Sequence, residues 1–236
     1  KSRDRLTLSL HAFMEEIMII APSLLNSNIY DIQETVKIAK IAGDNYLHID
    51  VMDGNFVPMQ AFGGKIVTDL KKKTDLILDV HLMINNPELH IEEYKDADII
   101  TVHEESTKQL YNCLNQIKNL GIKAGVAINP GTPVNTLTEV LNLVDQVLVM
   151  TVNPAMLGER FIKNSVKKIM ELKEIKENSN YLFDIEADGN INEETIILCH
   201  SSGANIFVSG GYVFGHNNPE LRIKKLKNIL SNGKVE

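Results

Sequence analysis

The chain is short of cysteine, of basic charge and of long apolar runs, and each shortage removes a class of protein. Its 236 residues include two cysteines, Cys113 and Cys199, each within a helix-like segment. That pattern fits buried free thiols in a reducing, cytoplasmic compartment better than a disulfide. No run approaches the roughly 18 apolar residues that a membrane span needs. Lys and Arg number 24 against 31 Asp and Glu, a formal net charge of -7, which argues against a nucleic-acid partner. The clusters Lys71 to Lys73 and Lys224-Lys225 fall in helix-like segments and read as solvated faces. None of the strand-like runs ends in lysine, so a barrel aldolase working through a Schiff base lacks its nucleophile. The first 16 residues mix charges with a short apolar patch and lack a small-residue cleavage pattern, so they do not read as a secretory signal.

What the chain does have is 44% hydrophobic residues, enough for one large core, arranged as a regular alternation. Strand-like runs fall near 18–23, 46–51, 76–82, 98–103, 122–128, 146–151, 182–187 and 205–209. Amphipathic helix-like runs fall near 30–42, 63–72, 87–94, 106–120, 133–142, 163–177, 192–202 and 218–231. Asn86-Pro87, Thr132-Pro133 and Asn218-Pro219 open helices, whereas Gly43, Gly121 and Gly203 close them. Strict alternation of eight strands and eight helices predicts an α/β fold, a single-domain (β/α)8 TIM barrel over 18–236; a doubly wound open sheet is the alternative. Residues 1–17 form an N-terminal extension, whether natural, left from a targeting sequence or added to the protein.

Polar residues interrupt the apolar strands in a pattern that core packing does not need. His48-Ile49-Asp50-Val51-Met52-Asp53-Gly54 puts His48, Asp50 and Met52 on one strand face. Leu78 to Met83 does the same for Asp79, His81 and Met83, and Phe183 to Gly189 for Asp184, Glu186 and Asp188. Ionisable groups on a buried face are costly unless something uses them. Two histidines and two aspartates near the ends of three separate strands suit a divalent metal such as zinc, iron, manganese or cobalt. In a barrel, Ser23, His48, Asp50, His81, Met83, Met150 and Asp188 all fall at the C-terminal ends of strands, where barrel active sites lie. Asp79 and Glu186 lie deeper and read as support for the ligands. His103 reads as mouth-lining or structural, and His11, His90, His200 and His216 as surface residues.

These motifs carry a resemblance. Ala21-Pro22-Ser23-Leu24-Leu25, His48 to Gly54, Phe56-Val57-Pro58, Leu78 to Met83, Ile100 to His103, Asn129 to Pro133 and Val149 to Pro154 are in the order found in the ribulose-phosphate 3-epimerase family. The chain resembles that family from Met18 to about Leu230. The resemblance implies a metal-dependent isomerase of the pentose phosphate pathway that inverts C3 of a phosphorylated ketose, taking D-ribulose 5-phosphate to D-xylulose 5-phosphate. It implies that His48, Asp50, His81 and Asp188 hold the metal and that Asp50 and Asp188 exchange the proton. Met52, Met83 and Met150 would cap the reacting carbon, Ser23 would bind an acid or the substrate, and the protein would form a homo-oligomer.

The phosphate end departs from the family. Where the family has Pro-Gly-Phe-Gly-Gly-Gln, this chain reads Pro154-Ala155-Met156-Leu157-Gly158-Glu159. Bare backbone at Gly158, Gly189, Gly210 and Gly211 can still offer N–H donors to a phosphate. The altered loop leaves a hexulose 6-phosphate such as D-allulose 6-phosphate as an alternative substrate, and a non-catalytic sugar-phosphate-binding relative as a further one.

Overall fold

A computed structural model describes residues 18–156 and 158–232; the extension over 1–17 lies outside the described residues. The strands are β1 (Ile19–Pro22), β2 (Tyr46–Asp53), β3 (Gln60–Ala61), β4 (Ile77–Met83), β5 (Ile99–His103), β6 (Lys123–Ile128), β7 (Gln146–Met150), β8 (Asp184–Asp188) and β9 (Ile206–Ser209). The helices are α1 (Ile32–Ala42), α2 (Gly64–Lys73), α3 (Leu110–Asn119), α4 (Ser165–Ser179), α5 (Thr195–Ser202), α6 (Gly211–Phe214) and α7 (Pro219–Asn232). All strands but β3 are parallel, hydrogen-bonded in the order β1-β9-β8-β7-β6-β5-β4-β2. A single parallel bridge between Ser23 and His48 joins β1 to β2 and closes the ring. The result is a (β/α)8 barrel.

Alternation along each strand sorts the side chains. On β4, Leu78, Val80 and Leu82 point outward into the aliphatic layer. There they meet helix faces such as Ile38 and Ala42 of α1, Ile169 and Leu172 of α4, and Ile223 and Leu226 of α7. Burying each such Leu, Ile or Val stabilises the fold by roughly 1.5–3 kcal/mol. The inward face starts with an apolar floor that includes Ile19, Tyr46, Ile99 and Ile206. Above it lies a buried polar layer that includes Asp79, Thr101, Gln146 and Glu186. Helices α1 and α5 stop at Gly43 and Gly203, whose φ values of 97° and 113° suit residues without a Cβ.

Two expected helices are not α-helices. Over 87–94 the chain makes two 3-10 turns, Pro87–Leu89 and Ile91–Tyr94, separated by His90 at φ -124°. Over 133–142 there is one 3-10 turn, Val134–Leu137. In that segment Thr136 and Thr138 turn their hydroxyls back onto the carbonyls of Pro133 and Asn135, local bonds that compete with helix propagation. The short β3 was not expected either; it pairs antiparallel with the end of β2, Met52 opposite Ala61. Among the described residues, no helix is long and apolar enough to cross a membrane.

Candidate active site

Strand register assembles the site. β2 and β4 pair so that Asp50 lies beside His81 and Met52 beside Met83, and β7 and β8 pair Met150 with Asp188. Because alternate residues share a face, His48 stands one step below Asp50, and Asp79 one step below His81. Ser23, Asp50, Met52, Met83, Met150, Gly158, Asp188, Gly189, Gly210 and Gly211 line one cavity of about 250 Å³ at the C-terminal mouth. His48 and His81 are fully buried beneath it.

His48 is oriented from below. Its Nδ1 lies 2.8 Å from Asp79 Oδ2, and a carboxylate only accepts, so Nδ1 carries the proton. Nε2 faces upward, 3.4 Å from Asp50 Oδ1 and 3.9 Å from Asp188 Oδ2, with no hydrogen-bond partner. His81 presents Nδ1 to the same two acids, at 3.1 Å from Asp50 Oδ1 and 3.7 Å from Asp188 Oδ2. Ser23 Oγ donates to the other oxygen of Asp50, Oδ2, at 2.9 Å.

The two acids feel opposite environments. Burial would raise Asp50, but the charge and hydrogen bonds of His48 and the contact with His81 hold it far below the usual carboxylate range. Asp188 is pushed up to about 7 by burial, reinforced by the negative charge of Asp50. Burial alone would lower His48, yet Asp50 and Asp79 raise it well above its ordinary value. The cluster therefore demands positive charge beside Nε2.

A divalent cation meets that demand. His48, Asp50, His81 and Asp188 each offer a ligand atom, and these atoms all lie within 4.8 Å of one another. The orphaned Nε2 of His48 is the observation that best fits a cation to this donor set, with Asp79 fixing the imidazole from behind. Two imidazoles and two carboxylates suit zinc, iron, manganese or cobalt rather than magnesium or calcium.

The support beneath the cluster is wider than the sequence indicates. Gln146 Nε2 donates to Glu186 Oε2 at 2.5 Å and to Asp79 Oδ1 at 3.2 Å. Burial and the charge of Asp79 raise Glu186 well above its usual range. His103 is more than a structural residue at the rim: its Nε2 lies 2.8 Å from His81 Nε2. Only the spacing His103-x-Glu105 at the end of the fourth strand-like run hinted at a partner. Lys168 is also drawn in, its Nζ donating to the carbonyls of Asn129, Pro130 and Thr132.

At the opposite wall a Cβ added to Gly158 or Gly211 would meet nothing within 4 Å, so bare backbone there borders open space. The Glu159 carboxylate is taken up within its loop. It accepts from Asn153 N at 3.0 Å and from Asn153 Nδ2 at 2.9 Å, while Asn190 Nδ2 donates to the Glu159 backbone carbonyl. Arg160 is exposed.

A parallel barrel with ionisable side chains gathered at its C-terminal mouth has the architecture of a barrel enzyme. The model of the ribulose-phosphate 3 epimerase family matches residues 19–214, and the chain belongs to that family, a family of isomerases. It is 42% identical over 219 residues to the chloroplastic ribulose-5-phosphate-3-epimerase of Arabidopsis thaliana, covering 91% of this chain and 78% of the relative. It is 38% identical to the ribulose-phosphate 3-epimerase of Aquifex aeolicus, covering 90% and 96%. Among solved structures, KGPDC from Streptococcus mutans in complex with D-R5P superposes with a TM-score of 0.67, covering 90% and 96% at 15% identity. That likeness is one of fold.

Proposed function

We propose that this protein interconverts D-ribulose 5-phosphate and D-xylulose 5-phosphate at a divalent-cation centre held by His48, Asp50, His81 and Asp188. The observation that carries the reading is a pair of carboxylates, Asp50 and Asp188, that line one cavity within 4 Å of the buried imidazole of His81. Such a pair is what an inversion at carbon requires, one group taking the C3 proton and the other returning one to the opposite face. Asp50 is the base for one epimer and Asp188 for the other. The cation, when bound, supplies positive charge against the anionic enediolate. Ser23 fixes one oxygen of Asp50 and leaves Oδ1 toward the imidazoles. Met52, Met83 and Met150 line the cavity with groups that bind water poorly, which keeps stray proton donors from the intermediate. The backbone at Gly158, Gly189, Gly210 and Gly211 receives the phosphate.

Solvent deuterium incorporation at C3, followed by NMR, tests this. Metal-loaded wild type should exchange C3 of D-ribulose 5-phosphate. Asp188→Asn should lose conversion of D-ribulose 5-phosphate to D-xylulose 5-phosphate by at least about a hundredfold, with metal content measured alongside. Exchange with D-allulose 6-phosphate alone would move the substrate to the hexuloses, and exchange with neither sugar sinks the proposal.

A further inference from the structure

A continuous row of four side chains leaves the site on the side away from His48. Asp50 Oδ1 lies 3.1 Å from His81 Nδ1, His81 Nε2 lies 2.8 Å from His103 Nε2, and His103 Nδ1 lies 3.1 Å from Glu105 Oε2. His81 and His103 are fully buried and their rings stack at 4.9 Å. The row thus has a carboxylate at each end, two imidazoles between and three gaps to fill.

Counting protons orders the row. Each neutral imidazole carries one proton, so two protons serve three gaps. The central gap cannot be without one, since two lone pairs do not face each other at 2.8 Å. The gap to Glu105 needs the other, because Glu105 is already committed as an acceptor. Its Oε1 takes hydrogen bonds from Asn129 N, at 2.7 Å, and from Thr132 Oγ1. Asn129 N–H can only donate, so that oxygen cannot become a donor. The gap left without a proton is the one between His81 Nδ1 and Asp50, inside the candidate cation site.

We infer that Glu105, acting through His103, fixes His81 as the Nε2–H tautomer and so aims the Nδ1 lone pair into the cation site. The two residues are positioning residues: neither lines the substrate cavity. The inference rests on the reading that the cluster binds a divalent cation. Lys168 steadies the far end, because it holds the carbonyls of the same Asn129 to Thr132 loop whose donors fix Glu105.

Glu105→Gln is a nearly isosteric inversion of the device. Asn129 N–H requires the amide oxygen, which turns the NH2 group toward His103 Nδ1. His103 must then place its proton on Nε2, facing the proton that His81 needs there to offer Nδ1. Thr132→Val is the control, since it weakens the loop but keeps the Glu105 acceptor.

The test reads imidazole tautomers by long-range 1H–15N NMR in the Zn2+-loaded full chain, with Co2+ titration followed by absorbance. Wild type and Thr132→Val should show His81 as Nε2–H and His103 as Nδ1–H. Glu105→Gln should move the His103 proton to Nε2 and weaken Co2+ binding by about ten- to a hundredfold. His81 protonated at Nδ1 in wild type overturns the inference, as do unchanged tautomers and affinity in a folded Glu105→Gln. If wild type binds neither cation, the metal-centre reading fails by itself, and the His103 tautomer in wild type against Glu105→Gln still decides the role of Glu105.

Discussion

Glu105 and Ala155 show how single residues carry costs that their neighbours offset. Burial would raise the Glu105 carboxyl, but hydrogen bonds from His103, Thr132 and Asn129 N–H bring it down to about 2. His103 itself is lowered to about 4 by burial, so near pH 7 it helps as a neutral donor rather than as a charge. A folded value below the ordinary 4.5 means stability that is present above pH 4.5 and lost as the pH falls toward 2. The advantage of wild type over Glu105→Gln should therefore shrink by about 3 kcal/mol across that window. Urea unfolding at several pH values would measure it, and a difference that stays flat counts against the hydrogen-bond account. Ala155 sits at φ 59°, in the left-handed region that a glycine occupies without strain. Ala155→Gly should stabilise the protein by about 1 kcal/mol, visible as a higher urea midpoint, whereas a lower midpoint would mean that the Ala155 methyl packs usefully beside Met52 and Met83.

Among the elements, β6 is held close against its neighbour β5. A Cβ at Gly125 would lie 2.2 Å from Thr101 Oγ1 and 3.2 Å from its Cα, on the adjacent β5. Backbone cannot step aside as a flexible side chain can. Gly125→Ala should destabilise by about 1–3 kcal/mol, and recovery in the double variant with Thr101→Ala, which removes Oγ1, would locate the clash at the Thr101 side chain. The strands were legible because outward aliphatics alternate with inward polar groups, a signal with period two that survives without any partner. His48, Asp50, His81 and Asp188 stand out for the same reason, being ionisable where the pattern expects apolar residues. The crossovers after β4 and β6 were misread because Pro, Thr and Asn segments keep an apolar spacing while their local bonds favour 3-10 turns. The links from His81 to His103 and from Gln146 to Glu186 were not legible. They depend on which strands lie side by side, and no single segment contains that information.

For the molecule as a whole, the two thiols report on the integrity of the barrel's shell. Cys113 on α3 and Cys199 on α5 are buried and free, and burial pushes each up to about 12. A thiol-specific reagent reacts with the thiolate, so neither residue should label in native protein near pH 8. Both should label together, at the rate of global opening, as urea approaches the midpoint; early labelling of one alone would show that its helix opens independently.

The seam at Ser23 and His48 has a consequence for how the protein comes to be made. β1 finds its ladder partner in β9, with Ile19 beside Ile206, and touches β2 through one bridge. β1 must wait for every later strand of the barrel to be made before its backbone is satisfied, a long-range closure of the slow kind. A chain arrested before Ile206 already holds His48, Asp50, His81 and Asp188, yet Ser23, the residue that steadies Asp50, still hangs from an unanchored strand. Synthesis therefore delivers the donors early and their alignment last, so that a truncated product is left with the right residues and no working mouth.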